Sequence, residues 1–149
     1  MRTFDIRHDV TFEETNAVGN VYFTNHLKWQ GRAREEFLRR HAPDVMEKLA
    51  EGLVLATVRC GCEYLSELFA FDRVIIRMRL EQVVQNRIQL AFEYFRENPG
   101  GNEQLVARGS QEVACMTREG SQTVPAPIPP SLLRALEPYR ASPAAAAMA

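Results

Sequence analysis

The stretch Phe12-Glu13-Glu14-Thr15-Asn16-Ala17-Val18-Gly19-Asn20-Val21-Tyr22-Phe23 puts a glycine turn, an amide side chain and backbone N–H groups between a strand and a helix. Such a set suits the handling of a carbonyl group. An amide can orient a water or an oxygen, and N–H groups at a helix start lack intrahelical partners and lie at the positive end of the dipole. The helix from about Leu27 to His41 adds a second signal. At ~100° per residue, Leu27, Gly31 and Leu38 share one side, with Phe37, Ala33 and Gln30 beside them. Lys28, Arg32, Glu35 and Arg39 take the opposite side. Arg34 falls in the middle of the apolar stripe, where an unpaired charge is costly. It is there to touch a substrate, or it is a structural ion pair with Glu13, Glu14 or a partner subunit.

The elements that must hold these residues follow from periodicity. Residues 3–12 alternate as a first strand, with Phe4, Ile6, His8, Val10 and Phe12 on one face. Pro43 suits the first turn of a second, short helix, and Gly52 a stop after Leu49. Four strand-like segments come next: Leu53 to about Leu68, Arg73–Val84, Arg87–Glu97 and Gln104–Arg118. In the second of these, Val74, Ile76, Met78 and Leu80 oppose Arg73, Arg77 and Arg79. The turn Asn98-Pro99-Gly100-Gly101-Asn102 joins the last two as a hairpin. Four prolines and a short helical pattern through Leu132, Leu133 and Leu136 close the chain.

Strand, long helix, short helix, then four strands is an α+β order. One helix cannot cover both faces of a five-stranded antiparallel sheet, and long strands leave edges open to pairing. A dimer or larger homo-oligomer is expected.

The 149 residues fit one domain, 1–149, with a core at about 3–120 and a Pro-rich C-terminal extension at 123–149. A formal net charge of -1 gives no field that argues for nucleic acid or a membrane surface. No apolar run reaches the ~18 residues of a membrane span. The start, Met1-Arg2-Thr3-Phe4-Asp5, reads as strand and not as a signal peptide, so a cytoplasmic location is expected. Cys60 and Cys62 are too close for a Cys-x-x-Cys motif, and His8, His26 and His41 add no metal spacing. Reduced thiols, no metal and no cofactor are the expectation.

The order of elements resembles the hotdog fold, a curved antiparallel sheet wrapped around one long central helix, from Phe4 to about Thr117. Asn16-Ala17-Val18-Gly19-Asn20-Val21-Tyr22 is similar to the Asp-x-x-Gly-x-Val-Tyr segment of the 4-hydroxybenzoyl-CoA thioesterase-like branch. Trp29-Gln30-Gly31-Arg32-Ala33-Arg34-Glu35 resembles the start of that branch's helix. Two departures stand out. Asn16 occupies the place of a common catalytic aspartate, and Gly31 lies near the place where another hotdog group carries a glutamate. An amide at Asn16 with a guanidinium at Arg34, together with Cys60-Gly61-Cys62-Glu63-Tyr64-Leu65-Ser66-Glu67-Leu68, resembles the thioesterases of enediyne polyketide biosynthesis. His26 departs from them, because relatives often carry tyrosine there.

That resemblance implies a homotetramer, a dimer of dimers, that hydrolyses a polyene thioester held by the acyl carrier protein domain of an iterative polyketide synthase. A β-keto acid product can then lose carbon dioxide. The implied catalytic residues are Asn16 and Arg34, and the implied substrate contacts are Gly19, Val21, Tyr22, Phe23, His26 and Thr57. Backbone N–H groups near Val21 to Phe23 are the expected oxyanion donors. Neither arginine nor an amide accepts a proton at neutral pH, so the chemistry rests on positioning and electrostatics. Each candidate has a plainer reading: Asn16 a turn residue, Tyr22, Phe23 and Trp29 packing, Glu13 and Glu14 solvated loop carboxylates, His26 a satisfied helix-start residue. One of the two glutamates could also restore a general-base mechanism. Two other functions fit the same residues: a generic acyl-CoA or aroyl-CoA thioesterase, and a non-catalytic acyl-binding hotdog module.

Overall fold

The computed structural model describes residues 2–141; residues 142–149, the end of the Pro-rich extension, lie outside the described residues. Strand β1 (Phe4–Asp9) leads through a 3-10 turn at Phe12–Glu14 into helix α1 (Thr24–His41), followed by α2 (Pro43–Ala50). Then come β2 (Leu53–Tyr64), β3 (Arg73–Val84), β4 (Arg87–Glu97), β5 (Glu103–Glu119), β6 (Gln122–Pro125) and α3 (Pro130–Leu136). The sheet is antiparallel in the order β1-β3-β4-β5-β2, and β6 pairs with the end of β5. The expected five strands are present, with this short sixth one added.

The alternation of β3 sets the inner face. Val74, Ile76, Met78 and Leu80 are buried beneath α1, as are Ile88, Leu90, Phe92 and Tyr94 of β4. From the helix come Trp29, Ala33, Phe37 and Leu38. The buried face of α1 is therefore centred on Trp29, Ala33 and Phe37, while Leu27 and Gly31 are only half-buried. The apolar pattern placed Gln30, Ala33, Phe37 and Leu38 on this face but missed Trp29 and the polar His26. Gln30 is fully buried and donates from Nε2 to the Gly61 carbonyl at 2.9 Å. His26 lies among Trp29, Tyr64 and Tyr94, and the Tyr94 hydroxyl donates to the His26 carbonyl at 2.8 Å.

First-strand alternation also ends sooner than expected. Val10 is buried, but Phe12 is 77% exposed because the chain turns at Thr11 into the 3-10 segment. At the far end, a bulge between Leu80 and Gln82 accompanies pairing of the C-terminal segment with β3, through Ala141 N–H to the Leu80 carbonyl at 2.8 Å. Ser131 of α3 donates a hydrogen bond to Asp44 of α2, and Leu132 and Leu136 enter the core.

Gly109 on β5 is where sheet and helix approach most closely. A Cβ there would overlap Gln30 Nε2 and sit 3.2 Å from both the Gly61 carbonyl and the Tyr94 hydroxyl. Gly109→Ala is expected to cost about 1–3 kcal/mol through overpacking, read as a lowered urea midpoint at unchanged slope.

Candidate active site

The loop before α1 is built from short-range bonds. A bridge between Thr15 and Val21 closes it, and Gly19 takes φ +94, open to glycine without strain. Asn16 is exposed; its Oδ1 accepts from the Val18 N–H at 3.0 Å and its carbonyl from the Gly19 N–H at 3.0 Å. The amide oxygen is thus already in a local turn, and the Asn16 Nδ2 makes no hydrogen bond to the other described residues.

Of the three N–H groups expected as oxyanion donors, at Val21 to Phe23, two are already engaged. Val21 N–H donates to the Leu68 carbonyl at 2.8 Å and Tyr22 N–H to the Glu14 carbonyl at 2.9 Å, so both are spent. Helix α1 begins at Thr24, earlier than the apolar pattern indicated, because Phe23 already has helical dihedrals. Among the described residues, the N–H groups of Phe23 and Thr24 have no acceptor, and they point out of the first turn. The Tyr64 hydroxyl holds the Phe23 carbonyl at 2.6 Å and so fixes the Phe23–Thr24 peptide. Side chains of Tyr22 and Phe23 are 47% and 55% exposed, which rules out core packing within this chain.

Arg34 is half-buried and reaches β2 and β5. Its Nη1 donates to Thr57 Oγ1 at 3.0 Å and to Gln111 Oε1 at 2.8 Å. No carboxylate of the described residues lies within 4 Å of it, so the ion pair with Glu13 or Glu14 does not form. Burial lowers its pKa from the ordinary arginine value, partly offset by Glu35, and the group still carries its charge at neutral pH. Beside it a narrow apolar slot of about 20 Å³ runs between α1 and the sheet, walled by Phe37, Leu55, Met78, Leu90, Leu132 and Leu136. Gln111, 6% exposed, is a partner of Arg34 in the candidate site that sequence reading missed. Its only signal was a polar side chain in the run Gln111-Glu112-Val113-Ala114-Cys115.

Within one protomer Asn16 and Arg34 do not meet. Asn16 lies before the first turn of α1, and Arg34 lies about 15 Å of helix rise beyond Thr24. Thr57 joins Arg34, whereas Gly19, Val21, Tyr22 and Phe23 group with Asn16.

His26 is 3% exposed, so it contacts other aromatic rings and not solvent. Its Nδ1 is buried without a partner among the described residues. Burial pushes its pKa down to about 4 from 6.5, against a weaker pull from the Phe23 carbonyl. Between those values the unfolded chain binds a proton that the folded one refuses. Stability therefore falls as pH drops from about 6.5 towards about 4. His26→Phe is expected to remove about 2–3 kcal/mol of that loss, read by comparing urea unfolding at pH 7.5 and pH 4.5.

A wider concavity lies elsewhere, an open groove of about 760 Å³ on the outer face of the sheet. Four of its charged residues are paired: Glu112 accepts from Arg59, Arg87 and Gln89, and Arg79 pairs with Glu93 at 2.6 Å.

A sheet wrapped on one helix is a fold shared with known proteins. The pattern of the thioesterase-like superfamily matches residues 10–136. The chain belongs to that superfamily. It is a thioester hydrolase, as are its relatives. A 1,4-dihydroxy-2-naphthoyl-CoA hydrolase of Thermosynechococcus vestitus is 27% identical over 126 residues, 84% of each chain. The dynemicin thioesterase, seen in crystal structures that bind a polyene, superposes with a TM-score of 0.91 at 48% identity, covering 95% of this chain and 99% of that one. This agrees with the enediyne thioesterase subgroup expected from the sequence. A mutant 4-hydroxybenzoyl-CoA thioesterase, in complex with 4-hydroxybenzoyl-CoA, is 18% identical with a TM-score of 0.82 over 91% of this chain and 99% of that one. It shares the fold.

Proposed function

We propose that this hydrolase releases a polyene acyl chain, β-keto or β-hydroxy, from the acyl carrier protein domain of an iterative enediyne polyketide synthase. The observation that carries the reading is Arg34, a charged group held by the neutral Thr57 and Gln111 at the edge of an apolar slot. A guanidinium kept free of carboxylates retains its positive field for a substrate oxygen or an attacking water. The likeness to a polyene-binding dynemicin thioesterase supports the same substrate class.

In this reading, the N–H groups of Phe23 and Thr24 receive the thioester oxygen. Each such donor is worth ~2.7–4 kcal/mol when aimed at the developing oxyanion. Arg34 holds the water or the β-oxygen, and Asn16 Nδ2 orients the same region. The water oxygen bonds to the acyl carbon, the C–S bond breaks, and the proton the water gives up passes to the leaving thiolate, giving a carboxylic acid and a thiol. No carboxylate side chain is required as base, so rate comes from positioning.

The separation of Asn16 from Arg34 within one protomer favours assembly of the site from two copies. Strand β2 is an edge of the sheet and exposes Thr57, Val58, Arg59 and Cys60. Phe12, Val18, Phe23, Leu65, Phe69 and Phe71 are large apolar side chains that the chain leaves exposed. A homodimer, and a tetramer of two such dimers, would cover the open edge and some of these side chains together.

The test compares thiol release from one acyl group carried on an acyl carrier protein and on CoA. A higher kcat/KM on the carrier protein is expected. Equal or better turnover on CoA would replace this reading with a general acyl-CoA thioesterase.

A further inference from the structure

The loop that carries Asn16 is held by a residue that takes no direct part in the proposed reaction. Glu14 was expected as a solvated carboxylate, yet its side chain is only 15% exposed. Its Oε1 accepts from the Thr11 N–H at 2.8 Å, the Thr11 hydroxyl at 3.1 Å and His8 Nε2 at 2.7 Å. Its Oε2 accepts from the Trp29 indole N–H at 2.9 Å. The carbonyl of the same residue accepts twice more, from Tyr22 N–H at 2.9 Å and Asn25 Nδ2 at 2.8 Å. One residue thus ties β1, the 3-10 turn, the loop end and two turns of α1.

The tie is directional. Arg32 Nη1 lies 2.8 Å from His8 Nδ1, and an arginine only donates, so Nδ1 is the acceptor. The ring proton therefore sits on Nε2 and points at Glu14. Arg32, His8 and Glu14 form a chain that keeps the carboxylate oriented. Burial raises the Glu14 pKa, but the Thr11 N–H, His8 and Trp29 outweigh it and hold the group below the usual carboxylate range. With both oxygens occupied and the proton affinity low, Glu14 is poorly suited to act as a base.

We propose that Glu14 is a positioning residue for thioester hydrolysis. It fixes the first turn of α1 against the Asn16 loop, so that the Phe23 and Thr24 N–H groups and the Asn16 amide face one reacting carbonyl. The inference rests on the proposed placement of the oxyanion at those N–H groups. It predicts a loss in kcat and not in substrate affinity, because Glu14 lies behind the loop and away from the apolar slot beside Arg34.

Glu14→Gln keeps the size but offers one acceptor oxygen where two are used, and turns an N–H₂ towards His8 and Thr11 or towards Trp29. With decanoyl-CoA as probe, kcat should fall by roughly 10- to 100-fold, the scale of a small misplacement, while KM stays within about twofold. The curve of log kcat against pH should keep its wild-type shape at a lower level. Amide exchange at Val21 and Tyr22 should quicken, and that of β3 and β4 should not change. Trp29→Phe, which removes one of the bonds and leaves Glu14 in place, should give a smaller kcat loss of the same kind, and keeps the question answerable if the glutamine variant folds poorly. A wild-type kcat together with unchanged amide exchange in both variants would overturn the proposal. So would loss of the acid limb of the pH curve in Glu14→Gln, which would make Glu14 a base. If quickened exchange occurs with no change in kcat, the loop is held as described but the oxyanion is bound elsewhere, and it is the functional reading that fails.

Discussion

Arg34→Ala is expected to lower kcat on the order of 100- to 1,000-fold, the range found when one oxyanion donor is removed, with secondary structure and oligomeric state unchanged. The size follows from the surroundings. Thr57 and Gln111 are neutral, and no carboxylate of the described residues stands within ion-pair distance to cancel the charge. In a partly desolvated place, an uncancelled guanidinium acts strongly on a developing negative charge. The fold tolerates its removal because two effects oppose each other. Gln111 Oε1 loses its donor while buried, at about 1–3 kcal/mol, but the chain no longer has to desolvate a cation. Arg34→Lys separates charge from shape. Nη1 alone makes both contacts, so an ammonium can replace them, yet it lacks the second nitrogen of the fork. An intermediate kcat is expected for lysine. Wild-type turnover in the alanine variant would remove Arg34 from the mechanism.

Asn16→Asp bears on the same chemistry with a smaller effect, since the amide oxygen already accepts the Val18 N–H and an aspartate would keep that bond. Arg34, in contrast, has no equivalent at any neighbouring position of the helix.

The parts of the fold that could be read in the sequence are those where one period governs both burial and hydrogen bonding. The bounds of β3 and β4 are those the alternation indicated, and the glycines of the intervening turn to β5 have the positive φ values such a turn needs. The start of α1 was harder. Phe23 caps it with helical dihedrals and no side-chain bond, so no Ser, Thr, Asp or Asn marked the boundary. β6 was hidden by Pro125, which pairs at the last position of the strand, and by the positive-φ Gly120 before it. In the site, Arg34 was visible as a charge out of period. Gln111 was not, because its partner Arg34 lies 77 residues away; Glu14 was named, but as an ion-pair partner or base, and its ties to His8 and Trp29 appear only once strand and helix are packed together.

Phe37→Ala should give the converse phenotype, a large loss of stability with the chemistry retained. Phe37 is 1% exposed and meets Phe4 and Tyr139 edge-on at ring distances of 5.3 and 5.5 Å. Truncating such a ring costs about 3–5 kcal/mol, out of the roughly 5–15 kcal/mol that holds a typical domain. Urea midpoints should register it directly. The ring also borders the slot beside Arg34, so its removal enlarges a space that now measures about 20 Å³. An apolar cavity of that kind stays dry and accepts apolar ligands. Decanoate should therefore raise the urea midpoint of Phe37→Ala more than that of the wild type, since a ligand bound only by the folded state stabilises it in proportion to the logarithm of its concentration. An unchanged midpoint would show that Phe37 is not packed as described. A destabilised variant that ignores decanoate would show that the cavity is closed off from the place where Arg34 would hold an acyl chain. Because Arg34, Thr57 and Gln111 are untouched, kcat at low temperature should stay within several-fold of wild type. Loss of turnover with retained fold in one variant, and loss of stability with retained turnover in a residue one turn away, would separate the charge that does the chemistry from the packing that holds it in place.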